Sequence, residues 1–143
     1  MVGALADRFA DVAPTEEPAR TAVLLVGRGS SDPDANADLH KIARLFAERR
    51  GFFDVGVAYV GVTTPNVEDA FRALVARRPR AIVVLPYLLY PGVLVDRLRV
   101  QLVELAALHP RIVVAVAEPV GTHPAVVTVL LERVEEAVAG TGG

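Results

Sequence analysis

This chain's sequence predicts an α/β fold: a three-layer sandwich with a four-stranded parallel sheet between two helical layers. Three observations carry that prediction. After Arg20, strand-like apolar runs alternate with amphipathic helical segments four times. The runs VLLV at 23–26 and AIVVL at 81–85 are unbroken, as in strands buried on both faces. Hydrophobic residues make up 52% of the chain and mean hydropathy is +0.40, rich enough to feed such a sheet.

Taken in order, residues 1–12 place Leu5, Phe9 and Val12 at helical spacing and predict one short helix. Residues 13–20, APTEEPAR, read as an exposed linker with two prolines. A helix and linker at this point suggest that another domain or an exchanged segment precedes them. The first strand is 21–27 and the first helix 34–50, with Leu39, Ile42, Ala43, Leu45 and Phe46 on its apolar face. The second strand is 53–60. Thr64-Pro65 starts the second helix, 66–78, whose Glu68 and Asp69 suit the positive end of a helix dipole. The third strand, 81–85, is central. An apolar loop, PYLLYPG at 86–92, leads into a helix from Val93 to about Leu108. Strand four is 112–117, and His123-Pro124 opens a last helix to about Ala139, after which residues 140–143 fray as a tail. The predicted strand order is 2-1-3-4, with a single α/β domain over 21–139.

Composition excludes several classes. At 143 residues the chain is one domain with a full core. Net charge is −2, so no global basic field points to nucleic acid. The absence of cysteine removes disulfides, thiolate metal sites and cysteine nucleophiles together. No apolar run reaches membrane-span length, and the first thirteen residues are too charged for a signal peptide, so the expected setting is cytoplasmic.

The chemistry-bearing stretch is LLVGRGSSDPDAN, residues 24–36. A strand ends at Gly27, Arg28 stands between two glycines, and Ser30, Ser31, Asp32 and Pro33 lead into a helix. Backbone N–H groups at a helix start together with a guanidinium suit a carboxylate or phosphate. The structural alternative is that Ser31 or Asp32 caps the helix and Arg28 pairs with an acid. Tyr87, Tyr90 and Gly92 belong to an apolar loop that walls a cleft for a flat ligand, or else is core beneath a loop. Asp96, Arg97 and Arg99 read as solvated helix charges, with Asp96 and Arg99 paired at i,i+3. Thr63-Thr64-Pro65 reads as a helix cap. His123 is a ligand or acid/base candidate, or a cap; His40 and His109 read as structural.

The successive stretches LLVGRGSSDPDAN, GVTTPNVEDAF, AIVVLPYLLYPGVLVDRL and AEPVGTHPAVV resemble the ordered landmarks of the sirohydrochlorin cobaltochelatase family, the CbiX-type class II chelatases. The resemblance runs from about Thr21 to Ala139. It implies a chelatase-like lobe that faces a second, similar lobe across a cleft, and a reaction in which Co²⁺ is the metal substrate inserted into sirohydrochlorin. The family's active lobe is similar to GHGS at the first turn, carries a glutamate near the end of strand two, and has a second histidine after strand three. The matching positions here are Arg28, about Gly61, and Leu94. None of these side chains offers a lone pair to a metal ion or takes a proton as a general base. The resemblance therefore implies the C-terminal, non-catalytic half of the double-length form, with no metal ligand other than the weak candidate His123.

On that reading Arg28, Gly29, Ser30, Ser31, Tyr87, Tyr90 and Gly92 form one wall of the macrocycle cleft, no cofactor is bound by this lobe, and the partner is a second lobe from the same chain or from a homodimer. Two other functions stay open: a structural dimerisation or assembly domain without a ligand, and a phosphate-ligand binder at the Arg28 loop.

Overall fold

The structure, a computed structural model, describes residues 2–12, 18–29, 31–61, 63–87 and 92–119. In chain order these form α1 (Val2–Val12), a 3₁₀ turn (Pro18–Arg20), β1 (Thr21–Gly27), α2 (Pro33–Arg50), β2 (Asp54–Tyr59), α3 (Val67–Ala76), β3 (Ala81–Tyr87), α4 (Val93–Ala107) and β4 (Val113–Val116). The predicted last helix and the frayed tail lie outside the described residues, as do most of the linker and the tip of the loop after β3.

The four strands are parallel in the order β2-β1-β3-β4. All seven residues of β1 are buried, because helices cover the sheet on both sides. On one face, Leu39, Ala43 and Phe46 of α2 and Leu5 of α1 meet Val23, Leu25, Val57, Val83 and Leu85. On the other, Phe71 and Leu74 of α3 and Leu98, Leu102 and Leu105 of α4 meet Leu24, Val26, Ile82 and Val84. The alternation along each strand sends odd and even positions to opposite cores. The connection leaving β1 steps one way through α2, and that leaving β3 steps the other way through α4. The switch point of the sheet therefore lies between the carboxyl ends of β1 and β3.

The N-terminal helix packs on this domain. Leu5 is fully buried, and Phe9 stacks at a tilt on Phe52 with ring centroids 4.9 Å apart.

Four local expectations are corrected. Strand three does not stop at Leu85 but runs through Pro86 to Tyr87. Val84 turns its polar groups toward β4, its carbonyl accepting from Ala117 N–H at 2.9 Å. Pro86, two residues on, faces the same side past the last β3–β4 pair, Val84 with Val116, and lacks the N–H that would continue that ladder, while the pairing with β1 runs on through Tyr87. Thr64-Pro65 does not start α3. Pro65 follows a cis peptide bond and its carbonyl accepts from Tyr59 N–H at 3.0 Å, while Asn66 caps the helix by accepting from Asp69 N–H at 2.8 Å. Arg99 pairs with Glu118 across 3.1 Å and not with Asp96. Leu45, 41% exposed, stands off the apolar face of α2.

Candidate functional site

The strand register builds the site floor. Gly27, the last residue of β1, stands opposite Tyr59 at the end of β2 and Tyr87 at the end of β3. Tyr59 is buried, and its hydroxyl donates to the carbonyl oxygen of Asn36 in the first turn of α2 at 2.9 Å. That bond ties the end of β2 to the helix that begins after the Arg28 loop. Burial pushes the Tyr59 phenol above its usual 10.0, since an anion there would lose its water.

Above this floor the loops after β1 and β2 close on each other. Val60 N–H donates to the Gly27 carbonyl at 3.0 Å. Gly29 takes φ +85°, a left-handed conformation that glycine adopts freely, and the position of its absent Cβ is 3.3 Å from Cβ of Tyr59 and Cγ2 of Thr63. A Cβ on Gly61 would stand 2.5 Å from the carbonyl oxygen of Arg28. The neighbour is backbone, so a side chain at 61 would require the Arg28 turn to shift.

Arg28 itself is exposed, and no ion pair joins it to any described residue. The cap of α2 is Asp32 and not Ser31: Asp32 Oδ1 accepts from Asp34 N–H at 3.0 Å, with Pro33 in the first helical position. Ser31 is exposed beside it. Gly92 is the N-cap residue of α4, its carbonyl accepting from Asp96 N–H at 3.0 Å. Tyr87 is half-buried at the end of β3, against the α1–α2 core. Ser30, Tyr90 and His123 lie outside the described residues.

Leu94, 39% exposed in the first turn of α4, lines a cleft of about 340 Å³ with Tyr59, Val60, Asn66, Arg97 and Gln101. The carboxyl edge therefore gathers Arg28, Gly61 and Leu94: Gly61 abuts Arg28, and Leu94 shares its cleft with Val60, the neighbour of Gly61. Among the described residues no three His, Asp or Glu side chains cluster as a metal site. Sequence reasoning missed two contributors. Tyr59 reads as one more apolar strand residue until the register places it, and Arg97 reads as a solvated charge although it lines the Leu94 cleft. The spacing of Arg97 three residues after Leu94, on one helix face, is the signal that was present.

This fold has known relatives. A family model described as CbiX matches residues 22–137. The chain belongs to the CbiX family. Sirohydrochlorin cobaltochelatase from Priestia megaterium is 40% identical over 126 residues, which is 87% of this chain and 41% of that protein. The solved structure of SirB from Bacillus subtilis with Fe³⁺ superposes with a TM-score of 0.83 at 32% identity, covering 99% of this chain and 55% of that one. The CbiX protein from Marinobacter aquaeolei VT8, 21% identical with a TM-score of 0.68, shares the fold over 86% of this chain and 98% of its own. The chain spans about half the length of the curated relatives it matches. The CbiX fold expected from the four landmarks is thus present, with the sheet order read from the sequence. No helix among the described residues is long and apolar enough to cross a membrane.

Proposed function

We propose that this chain is one lobe of a sirohydrochlorin chelatase, the non-catalytic half, and that it forms one wall of the macrocycle cleft opposite a histidine-bearing lobe. The observation that carries this reading is the pairing of Arg28 with Gly61. Position 28 offers a fixed cation, position 61 offers no carboxylate, and one there would require the turn that presents Arg28 to shift. With Leu94 at the third position, the rim recognises anions and does not hold a metal ion. Arg28, aided by Arg97 on the same edge, anchors carboxylates of the macrocycle by charge-assisted hydrogen bonds. Gly29 and Ser31 bring backbone and hydroxyl donors to the same turn, and Tyr87 and Gly92 bound the cleft on the β3 side; Ser30 and Tyr90, which the resemblance also assigns to this wall, lie outside the described residues. Cobalt is then the substrate of the opposite lobe, the setting is cytoplasmic, and the working unit is a pair of lobes.

A second reading, a pairing domain without a ligand, draws on the outer face of α4, where Val93, Val100 and Val103 are 64%, 60% and 70% exposed. Calorimetry against sirohydrochlorin beside sedimentation separates the two. The chelatase-lobe reading expects binding heat and negligible cobalt insertion by this chain alone. A dimer with no binding heat supports the pairing domain instead, and metal insertion by the isolated chain contradicts the proposal.

A further inference from the structure

The opposite, amino-terminal edge of the sheet carries a second candidate site. β3 and β4 are paired, so the loops that enter them lie side by side, with Val113 N–H donating to the Arg80 carbonyl at 3.1 Å. Between them is a groove of about 540 Å³, walled by Val75, Leu108 and Ile112 and edged by Arg78, Arg80 and Arg111. Among the described residues no acidic one lines it, although the whole chain carries a net charge of −2. Neighbouring Arg77 is already engaged, paired with Asp54 and lying over the Phe53 ring. By contrast, no ion pair or side-chain hydrogen bond to a described residue occupies Arg78, Arg80 or Arg111.

Arg78 adds an independent observation. It follows the last turn of α3 at φ 59°, and it is the one non-glycine residue at positive φ among those described. Helices commonly place glycine at this position because a side chain there strains the backbone. An arginine kept where glycine fits better points to a use for its side chain.

We infer that this groove binds an amphiphilic polyanion, an apolar body of nucleotide size bearing phosphate or carboxylate groups. The body rests on the valine, leucine and isoleucine walls, and the guanidinium forks take the anionic groups in bidentate pairs. The site is separate from the Arg28 edge and does not rest on the chelatase reading.

The test titrates the folded chain with ATP and, separately, with the octacarboxylate uroporphyrin. Arg78→Gly is the diagnostic variant, because it relieves the positive φ: it is expected to hold or raise Tm while weakening binding about tenfold. Arg80→Ala with Arg111→Ala is expected to weaken it further. A response to ATP alone that Arg78→Gly weakens assigns phosphate ligands, and a response to uroporphyrin alone that Arg78→Gly weakens assigns polycarboxylates. Saturation by neither probe up to about 1 mM, or affinities unmoved by Arg78→Gly, overturns the inference.

Discussion

The carbonyl oxygen of Arg28 stands 2.5 Å from the point where a Cβ on Gly61 would lie. Two loops from neighbouring strands thereby meet closely, and the residue at 61 is constrained by the backbone carbonyl of residue 28 whatever side chain stands there. Any substitution at Gly61 must move the Arg28 turn. Gly61→Ala is expected to lower unfolding stability by about 1–3 kcal/mol, the usual cost of forcing extra atoms into a packed site. Urea denaturation checks it; an unchanged midpoint shows that the turn yields freely.

Tyr59 is the post beneath that turn. Tyr59→Phe removes the hydroxyl that donates to Asn36 and is expected to cost about 0.5–1.5 kcal/mol. The same phenol sets a pH dependence. Its folded pKa lies above its ordinary 10.0. Its contribution is therefore complete below that value and is lost as pH rises toward the folded one. Between about pH 9 and about pH 11 the urea midpoint of the parent should fall more steeply than that of Tyr59→Phe. Parallel curves would show that Tyr59 is not the group responsible.

The cap of α2 is assigned to Asp32 rather than to its serine neighbour. Asp32→Ala is expected to cost about 1 kcal/mol, while Ser31→Ala, at an exposed position outside the cap, stays within about 0.5 kcal/mol. Thermal unfolding of the two variants side by side checks the assignment, and equal losses contradict it.

α1 belongs to this core. Leu5 is fully buried between α2 and the sheet, so Leu5→Ala is expected to cost about 2–5 kcal/mol. A loss below about 1 kcal/mol would mean that the helix adds little to the domain.

Much of the fold was legible because its signals are local. The unbroken runs VLLV and AIVVL mark central strands, and alternation with helices leaves few orders for a parallel sheet. The errors share one cause, that tertiary contacts outrank neighbours in sequence. Pro86 reads as the start of a loop, yet it sits in β3 because β1 pairs with β3 through Val26 and Gly27. Asp96 is three residues from Arg99, yet Glu118, nineteen residues away, is the partner. Thr64-Pro65 has the look of a helix start, but Asn66 has the side-chain geometry of one. At the site, Arg28 could be found from its place between two glycines, whereas Tyr59 and Arg97 acquire roles only once register and helix packing are fixed. The amino-edge groove was unreadable for the same reason, since Arg78, Arg80 and Arg111 come from two loops that only strand pairing brings together.

Arg28 is exposed and without an ion pair to the described residues, so Arg28→Ala should leave stability within about 0.5 kcal/mol of the parent. Its effect is expected on ligand binding alone, which makes it the sharpest probe of the lobe's role. Absorbance titration of the chain and of Arg28→Ala with sirohydrochlorin should give a saturable change that the variant shifts to about tenfold higher concentration. No spectral change for the parent, or identical curves for the two proteins, would contradict the account.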